Sequence, residues 1–294
     1  MLDVLIIGGG ISGLTVAHAA GLADRPGKWE LWESTERLGG TIGTDRAEGY
    51  SVDWGPNGFL DREPLTLRFV DEIGLREALE PANPKSEKRF IVKHGRLHPV
   101  PFSPGRILAT GLLRPVEKAR IFCEPFIPAR RDDGDESVFD FAARRIGRGA
   151  AETFVDPMVS GVHGGLAREL SLPSCFPVMR EMEMRYGGLV KALVARQLAK
   201  RRAARAAGPA QRKSGGPAGP GGRLTSFKSG FDVVIRRLEE RLRPGIRMNR
   251  EAARIRRGEG GWEALDRAGN TVLARNVVIS CPTYAAAEFV KDFD

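Results

Sequence analysis

Gly8, Gly10 and Gly13 stand at the spacing G-x-G-x-x-G within the stretch LIIGGGISGL. That spacing suits one kind of chemistry, the binding of a pyrophosphate by main chain. The first glycine permits a tight turn, the second lets the backbone approach the phosphates, and the third lets a helix pack closely on a strand. The N–H groups from Gly8 through Gly9, Gly10, Ile11 and Ser12 to Gly13 would then meet the anion, aided by the partial positive charge of the helix start. Glu33 closes the stretch WELWE. A carboxylate there accepts hydrogen bonds from ribose hydroxyls and repels a 2′-phosphate, so the pattern disfavours NADP. Just beyond it, ERLGG carries Arg37, Gly39 and Gly40, which could bring more backbone to the pyrophosphate. Spacing alone leaves an ordinary exposed loop as the alternative.

The motif has meaning only if the right elements surround it. Asp3–Ile7 reads as a buried strand, Ile11–Ala20 as the helix after it, and Trp29–Trp32 as the next strand, a βαβ start. Pro64–Ile73 reads as a short amphipathic helix with Leu67, Val70 and Ile73 on one face and Gly74 as its stop. KRFIVKHGRLHPVP predicts a strand pair around His94-Gly95. From Ile107 to Leu198 the pattern is helical; in ESVFDFAARRIG, Ser137 is placed to cap and Gly147 to stop. A further helix spans 188–205, and another, in FDVVIRRLEERL, has Val233, Ile235, Leu238 and Leu242 as its apolar positions. GIRMNREAARIRR, GWEALD and TVLARNVVIS predict strands of a meander whose last member returns to a buried position.

Composition sets the bounds. The 294 residues are 41% hydrophobic and 28% charged, enough for two domains with a real core. No apolar run is long enough to span a bilayer. With a buried strand so near the start, no signal peptide is expected, which points to the compartment of synthesis, most simply a bacterial cytoplasm. Cys123, Cys175 and Cys281 form no metal or redox pattern and read as reduced packing residues; His94, His98 and His163 lack metal-ligand spacing, and no metal is expected. The net charge of +9 is concentrated: Lys200 to Arg223 holds seven basic residues and no acidic one. A solvated loop without a fold accounts for it best. A polybasic contact with anionic lipid is the sharper alternative. Nucleic-acid binding is not expected, because the loop has no aromatic residue to stack.

Taken together, GGGISGL, ERLGG, GPNGFLDREP, KRFIV, GRLHPVP, DESVFDFAARRIG, VDPMVSGVHGG, ELSLPSCFP and SFKSGFDVVIRRL resemble one family, the oxygen-dependent protoporphyrinogen oxidases among the amine-oxidase-like flavoproteins. The resemblance spans nearly all the chain except the basic loop. It implies an α/β, Rossmann-like FAD/NAD(P)-binding fold with an inserted helical domain and part of an antiparallel substrate-domain sheet. The implied layout is a first FAD part at 1–88, substrate-domain strands at 89–103, a helical, membrane-associating domain at 104–205, a basic loop at 206–223 and a second FAD part at 224–294. It implies FAD as cofactor, held by Gly8–Gly13, Glu33, Arg37, Gly39, Gly40 and Thr41. Gly55, Pro56, Asn57 and Gly58 would lie near the flavin, and Ala252 would offer its backbone to the adenine. Asn57 would lie between flavin and substrate. Arg89 matches the family's propionate-binding arginine, which suits bidentate pairing with a carboxylate. A surface arginine is the plainer alternative.

The implied reaction is six-electron oxidation of protoporphyrinogen IX to protoporphyrin IX, with molecular oxygen reoxidising the flavin to give hydrogen peroxide. The family also implies attachment to the inner face of the cell membrane and a homodimer. No catalytic acid or base stands out, so none is assigned. The family's C-terminal segment, which covers the flavin and completes the sheet, has no counterpart here, and the chain reads as C-terminally truncated. Coproporphyrinogen III as substrate would call for extra basic pocket residues; GPNGF and KRF lean towards protoporphyrinogen. Another amine-oxidase-like flavoenzyme, such as a carotenoid desaturase, is disfavoured by the mid-chain motifs. An inactive fragment that only associates with membranes is the reading from a different class.

Overall fold

The computed structural model describes residues 1–84, 89–101, 103–132, 134–206 and 222–291. The basic loop expected at 206–223 therefore lies almost entirely outside the described residues. Two compact units are present, Met1–Pro84 with Ser214–Asp294, and Lys85–Lys213.

The first unit is built on β1 (Leu2–Ile7), α1 (Ile11–Ala19) and β2 (Trp29–Trp32). A hairpin of β3 (Thr44–Ala47) and β4 (Tyr50–Asp53) follows, then β5 (Phe59–Leu60), α2 (Pro64–Glu72) and β6 (Leu79–Pro81). After the second unit, whose own elements run from β7 to β8 and α3 to α10, the chain returns as β9 (Leu224–Phe227), α11 (Val233–Leu242) and β10 (Ile246–Arg247). It ends in β11 (Ala252–Gly258), β12 (Gly261–Asp266), β13 (Thr271–Ile279) and α12 (Thr283–Val290).

The main sheet has the order β10-β2-β1-β13-β12-β11. Its first four strands are parallel, and β13, β12 and β11 form an antiparallel meander on the edge. β1 lies at the centre, so both of its faces are buried. Ile6 packs with Leu14, Ala17, Leu31, Ile235 and Leu238 on one side. Leu5 and Ile7 pack with Trp32, Ala252, Ile255, Ala264 and Phe289 on the other. This is the two-residue alternation of a strand covered on both faces. Register aligns Ile7 with both Trp32 and Ile279, so the loops after β1, β2 and β13 emerge level with one another. That edge, where the connections from β1 and β13 part, is where ligands bind in open α/β sheets.

Three details differ from the sequence reading. GIRMNREAARIRR is not one strand: Ile246–Arg247 pairs with β2, Asn249 turns the chain at φ 53, and β11 begins at Ala252. On α11 it is Val234, not Val233, that joins Ile235, Leu238 and Leu242 in the core. The β3–β4 hairpin was not foreseen; Glu48 and Gly49, at φ 53 and 82, make its tight turn.

The second unit opens with the hairpin of β7 (Phe90–Lys93) and β8 (Arg96–Pro99), turned by His94 and Gly95 at φ 51 and 71. Helices follow: α3 (Pro104–Ala109), α4 (Pro115–Phe122), α5 (Val138–Ile146), α6 (Arg148–Ala150), α7 (Asp156–His163), α8 (Leu172–Cys175), α9 (Pro177–Tyr186) and α10 (Leu189–Ala206). Ser137 caps α5 by accepting from Asp140 N–H at 3.0 Å, and Gly147 ends it at φ 92. The unit holds a charged core that the helical pattern did not reveal. Arg145 is 0% exposed and donates to the Glu124 carboxylate and to the Ile127 carbonyl. Glu124 also accepts from Leu189 N–H at 2.7 Å and Val190 N–H at 3.0 Å, which caps α10. Arg144 bridges Glu136 and Glu183 at 2.8 and 2.6 Å. Burial alone would raise the Glu183 carboxyl, but the bonds from Arg144 and Arg130 hold it below its ordinary value.

Candidate functional site: a dinucleotide seat at the carboxyl edge of the sheet

Gly8 begins the site where β1 ends. Its N–H donates to the Trp32 carbonyl at 2.9 Å, and its φ of 107 is one that a side chain would strain. A Cβ on Gly13 would stand 2.1 Å from the Gly8 carbonyl oxygen and 2.6 Å from Ser280 Oγ. Glycine there is what lets α1 lie against β1. Gly10 is the opposite case: a Cβ built on it meets nothing within 4 Å. Its backbone faces open space. Gly10 is also the N-cap of α1 and makes no side-chain cap bond, so the helix start has donors to offer an anion.

The second glycine pair joins the first. Gly39 N–H donates to the Gly9 carbonyl at 2.9 Å, and Gly10 and Gly39 form a parallel bridge. A Cβ on Gly40 would meet only Gly10 Cα, at 3.7 Å. The two loops thus present adjoining bare backbone. Arg37 holds the second loop in shape. Its guanidinium donates to the carbonyls of Leu38, at 3.0 Å, Ile42, at 2.8 Å, and Gly40, and lies over the Trp54 ring. It braces this loop from within.

Glu33, 8% exposed, ties the two loops together. Its Oε2 accepts from Gly9 N–H at 2.9 Å, and Oε1 accepts from the Thr35 N–H and hydroxyl, each at 2.9 Å. Oε1 also accepts from the Ser34 hydroxyl at 3.3 Å, so Oε1 is crowded while Oε2, with one bond, keeps an open acceptor position. Beside it opens a cavity of about 890 Å³ lined by Gly8, Trp32, Arg250, Ala252, Cys281 and Tyr284, among others. Ala252 therefore lies in the wall where an adenine was expected to meet the backbone. Trp32 carries the Arg250 guanidinium 4.0 Å over its ring, and Arg250 in turn bonds Glu30 and Asp266 at 2.9 and 2.8 Å. The Cys281 thiol is pushed up by its burial, with the Glu33 carboxylate adding to the effect. It is protonated at neutral pH and only partly buried, so it becomes a thiolate on alkalinisation.

Ser280 closes the seat, and the glycine motif gave no hint of it. Its N–H and hydroxyl donate to the Ile7 carbonyl at 2.8 and 2.9 Å, and the hydroxyl also reaches the Gly8 carbonyl at 3.0 Å. The signal was available: a polar residue directly follows the buried return strand in VVISCP.

The remaining predicted residues are distributed as follows. Thr41, Gly55, Pro56 and Asn57 are exposed, and Ile11 and Gly58 partly so, all in the first unit. A Cβ on Gly55 would fall on the Thr41 carbonyl oxygen at 1.6 Å, which fixes these two loops against each other. Ser12 is exposed at the start of α1. Arg89 belongs to the second unit; it is exposed, and its carbonyl accepts from Val100 N–H at 2.9 Å at the mouth of the β7–β8 hairpin. Cys123 is exposed rather than packed. His163 meets the Phe176 ring edge-on at 5.1 Å, and His94 occupies the hairpin turn.

The model of the flavin containing amine oxidoreductases matches residues 11–293. The chain belongs to this family. A flavin-containing family and a site built for a dinucleotide together make the cofactor FAD. The chain is 26% identical to the coproporphyrinogen III oxidase of Bacillus subtilis over 98% of its length and 62% of the relative. It is 28% identical to the chloroplastic protoporphyrinogen oxidase of Oryza sativa over 98% of the chain and 54% of the relative. Among solved structures, a presumptive protoporphyrinogen oxidase from Exiguobacterium sp. 255-15 superposes at a TM-score of 0.75 with 25% identity, over 99% of this chain and 62% of that one. The chain thus spans less than two thirds of the length of each of these proteins. The family fold, a dinucleotide-binding sheet interrupted by a helical insertion, is the fold observed.

Proposed function

We propose that the chain carries the FAD seat of a porphyrinogen oxidase that converts protoporphyrinogen IX to protoporphyrin IX, with oxygen as acceptor and three molecules of hydrogen peroxide formed per ring. The observation that carries this reading is the bare backbone at Gly10 and Gly40 beside Glu33, in a chain alignable over 98% of its length with porphyrinogen oxidases of two kinds. Bound FAD supplies the two-electron oxidation, repeated three times for the six electrons. The protein's part is to hold and orient. The α1 N-terminus and the two glycine loops hold the pyrophosphate, Glu33 the ribose, and Ala252 the adenine. Gly55, Pro56, Asn57 and Gly58 lie along the flavin, with Asn57 turned to the substrate. Arg89 pairs with a propionate through two parallel hydrogen bonds.

Coproporphyrinogen III is the second reading, favoured by the Bacillus subtilis relative. The two substrates differ in their number of propionates, so they separate in one assay. The chain, loaded with FAD, is given each porphyrinogen anaerobically prepared, then oxygen; porphyrin fluorescence and peroxide are followed together. Faster porphyrin formation from the dicarboxylate supports the first reading, and from the tetracarboxylate the second. Retained FAD with neither product refutes both.

For the second unit we propose contact with a membrane surface at the inner face of the cell membrane. Phe126 is 84% exposed, and Val116, Val162 and Leu108 are also exposed. No helix among the described residues is long and apolar enough to cross a membrane. A homodimer belongs to the same proposal. Vesicle flotation and sedimentation equilibrium test the two.

A further inference from the structure

The reading above accounts for the ribose and pyrophosphate ends of the seat but leaves the adenine with only the backbone of Ala252. A purine ring needs more than one edge contact to be held firmly. The cavity of about 890 Å³ offers a second element, α12, whose first turn brings Tyr284 into its lining. Tyr284 is 78% exposed, an unusual state for a ring at the foot of a helix whose other end is firmly buried. Phe289, 6% exposed, packs α12 into the core with Leu5, Ile7 and Ala252. The foot of the helix is fixed just as tightly. Ala285 and Ala286 N–H both donate to the Pro282 carbonyl, and Ser280, two residues earlier, is bonded to the carbonyls of Ile7 and Gly8. Tyr284 is therefore an exposed aromatic on a rigid mount, tied by one short segment to the phosphate-binding loop. That segment also places Cys281 in the cavity wall.

We propose that Tyr284 is the stacking wall of the adenine seat: its ring covers one face of the adenine of FAD while Ala252 meets the ring edge. An aromatic face stacks on a purine regardless of its exocyclic groups and holds it through a large contact area. This rests on the reading of the cavity as the adenosine end of the FAD site. Tyr284 is a positioning residue and touches no reacting atom.

The test uses the full chain with AMP and FAD as probes. Binding is measured by calorimetry for AMP and by flavin fluorescence for FAD. Tyr284→Ala should weaken both by about tenfold, and Tyr284→Phe should leave both near wild type. Tyr284→Leu, which keeps the bulk and loses the aromatic face, should behave like Tyr284→Ala, and it decides the matter if the alanine variant does not fold. A second readout is independent of affinity. At alkaline pH the unliganded chain should take up N-ethylmaleimide at Cys281, and bound AMP or FAD should prevent it, as read by peptide mass, while labelling of exposed Cys123 is unchanged. If AMP and FAD shield Cys281 and yet bind Tyr284→Leu as tightly as wild type, the stacking role is overturned and the site stands. If neither ligand shields Cys281 in the wild-type chain, the cavity is not the adenosine seat, and the proposal falls with that reading.

Discussion

Gly10 and Gly13 belong to one motif, yet the structure predicts opposite consequences for placing alanine at each. At Gly13 the new methyl would lie 2.1 Å from the Gly8 carbonyl oxygen and 2.6 Å from Ser280 Oγ, and the closer of these is backbone. Neither α1 nor β1 can yield without disturbing the Ile6 and Leu14 packing between them. Overpacking of this kind costs about 1–3 kcal/mol, and a backbone clash belongs at the upper end. At Gly10 the methyl meets nothing, and the backbone, at φ −71 and ψ 176, suits alanine. Gly10→Ala should therefore leave the protein's stability little changed, because the roughly 0.4–1 kcal/mol from the stiffer unfolded chain is offset by alanine's poorer fit at the N-cap of α1, about 0.5–1 kcal/mol. Its methyl would instead stand where the pyrophosphate must come, and FAD binding should weaken by about tenfold or more, or roughly 1.4 kcal/mol. Urea unfolding followed by tryptophan fluorescence reads the first quantity cleanly, because all four tryptophans lie in the first unit. Equilibrium dialysis with FAD reads the second. Wild-type FAD affinity in Gly10→Ala would mean that no phosphate passes over this residue. Equal destabilisation by the two substitutions would mean that the helix–strand packing has been misread.

Four further outcomes are expected. Glu33→Ala should weaken FAD binding by roughly 1.5–3 kcal/mol, the range for a hydrogen bond to a charged group; an unaltered dissociation constant removes Glu33 from the ribose site. Arg89→Ala should raise the KM for porphyrinogen at unchanged flavin content, and steady-state kinetics with an equal KM would deny it the propionate. The Glu183 carboxyl is held low in the folded second unit, so its contribution is complete above the unfolded value of about 4.5 and is lost as pH falls through the lower, folded one. Protection factors in α5 and α9, taken relative to intrinsic exchange at each pH, should accordingly fall on acidification below that point, and protection factors constant from pH 5 to 3 would contradict it. Ser137→Ala should cost about 1 kcal/mol through the lost cap of α5, measured as faster exchange in the helix's first turn.

What was legible in the sequence was whatever the backbone itself demanded. The glycine spacing, the short apolar strands on either side and Glu33 form a local arrangement, and their elements lie within a residue of where they were expected. The His94-Gly95 turn was readable because its strands alternate, whereas the β3–β4 hairpin escaped because TDRA and YSVD are short, mostly exposed and lack an alternating apolar face. Partnerships between distant residues were not legible. Arg145 sits in a helical pattern as any surface arginine would, and only the approach of Glu124 makes it a core residue. The three carbonyls that Arg37 bonds, those of Leu38, Gly40 and Ile42, could not be read from the motif either. Ser280 and Tyr284 become part of the site only once β13 has docked beside β1.

That docking has a temporal side. Ser280 and Ile7 are separated by 273 positions, and β1 finds its partner β13 only after the entire second unit has been made. During synthesis the glycine loop must wait, with one edge of β1 unpaired, while the helical unit forms from contacts much closer in sequence. An unpaired apolar strand is a site for mispairing. β13 is thus the late arrival that brings Ser280 to the glycine loop. A ligand that binds only once β13 has docked would draw the equilibrium toward the docked strand by mass action.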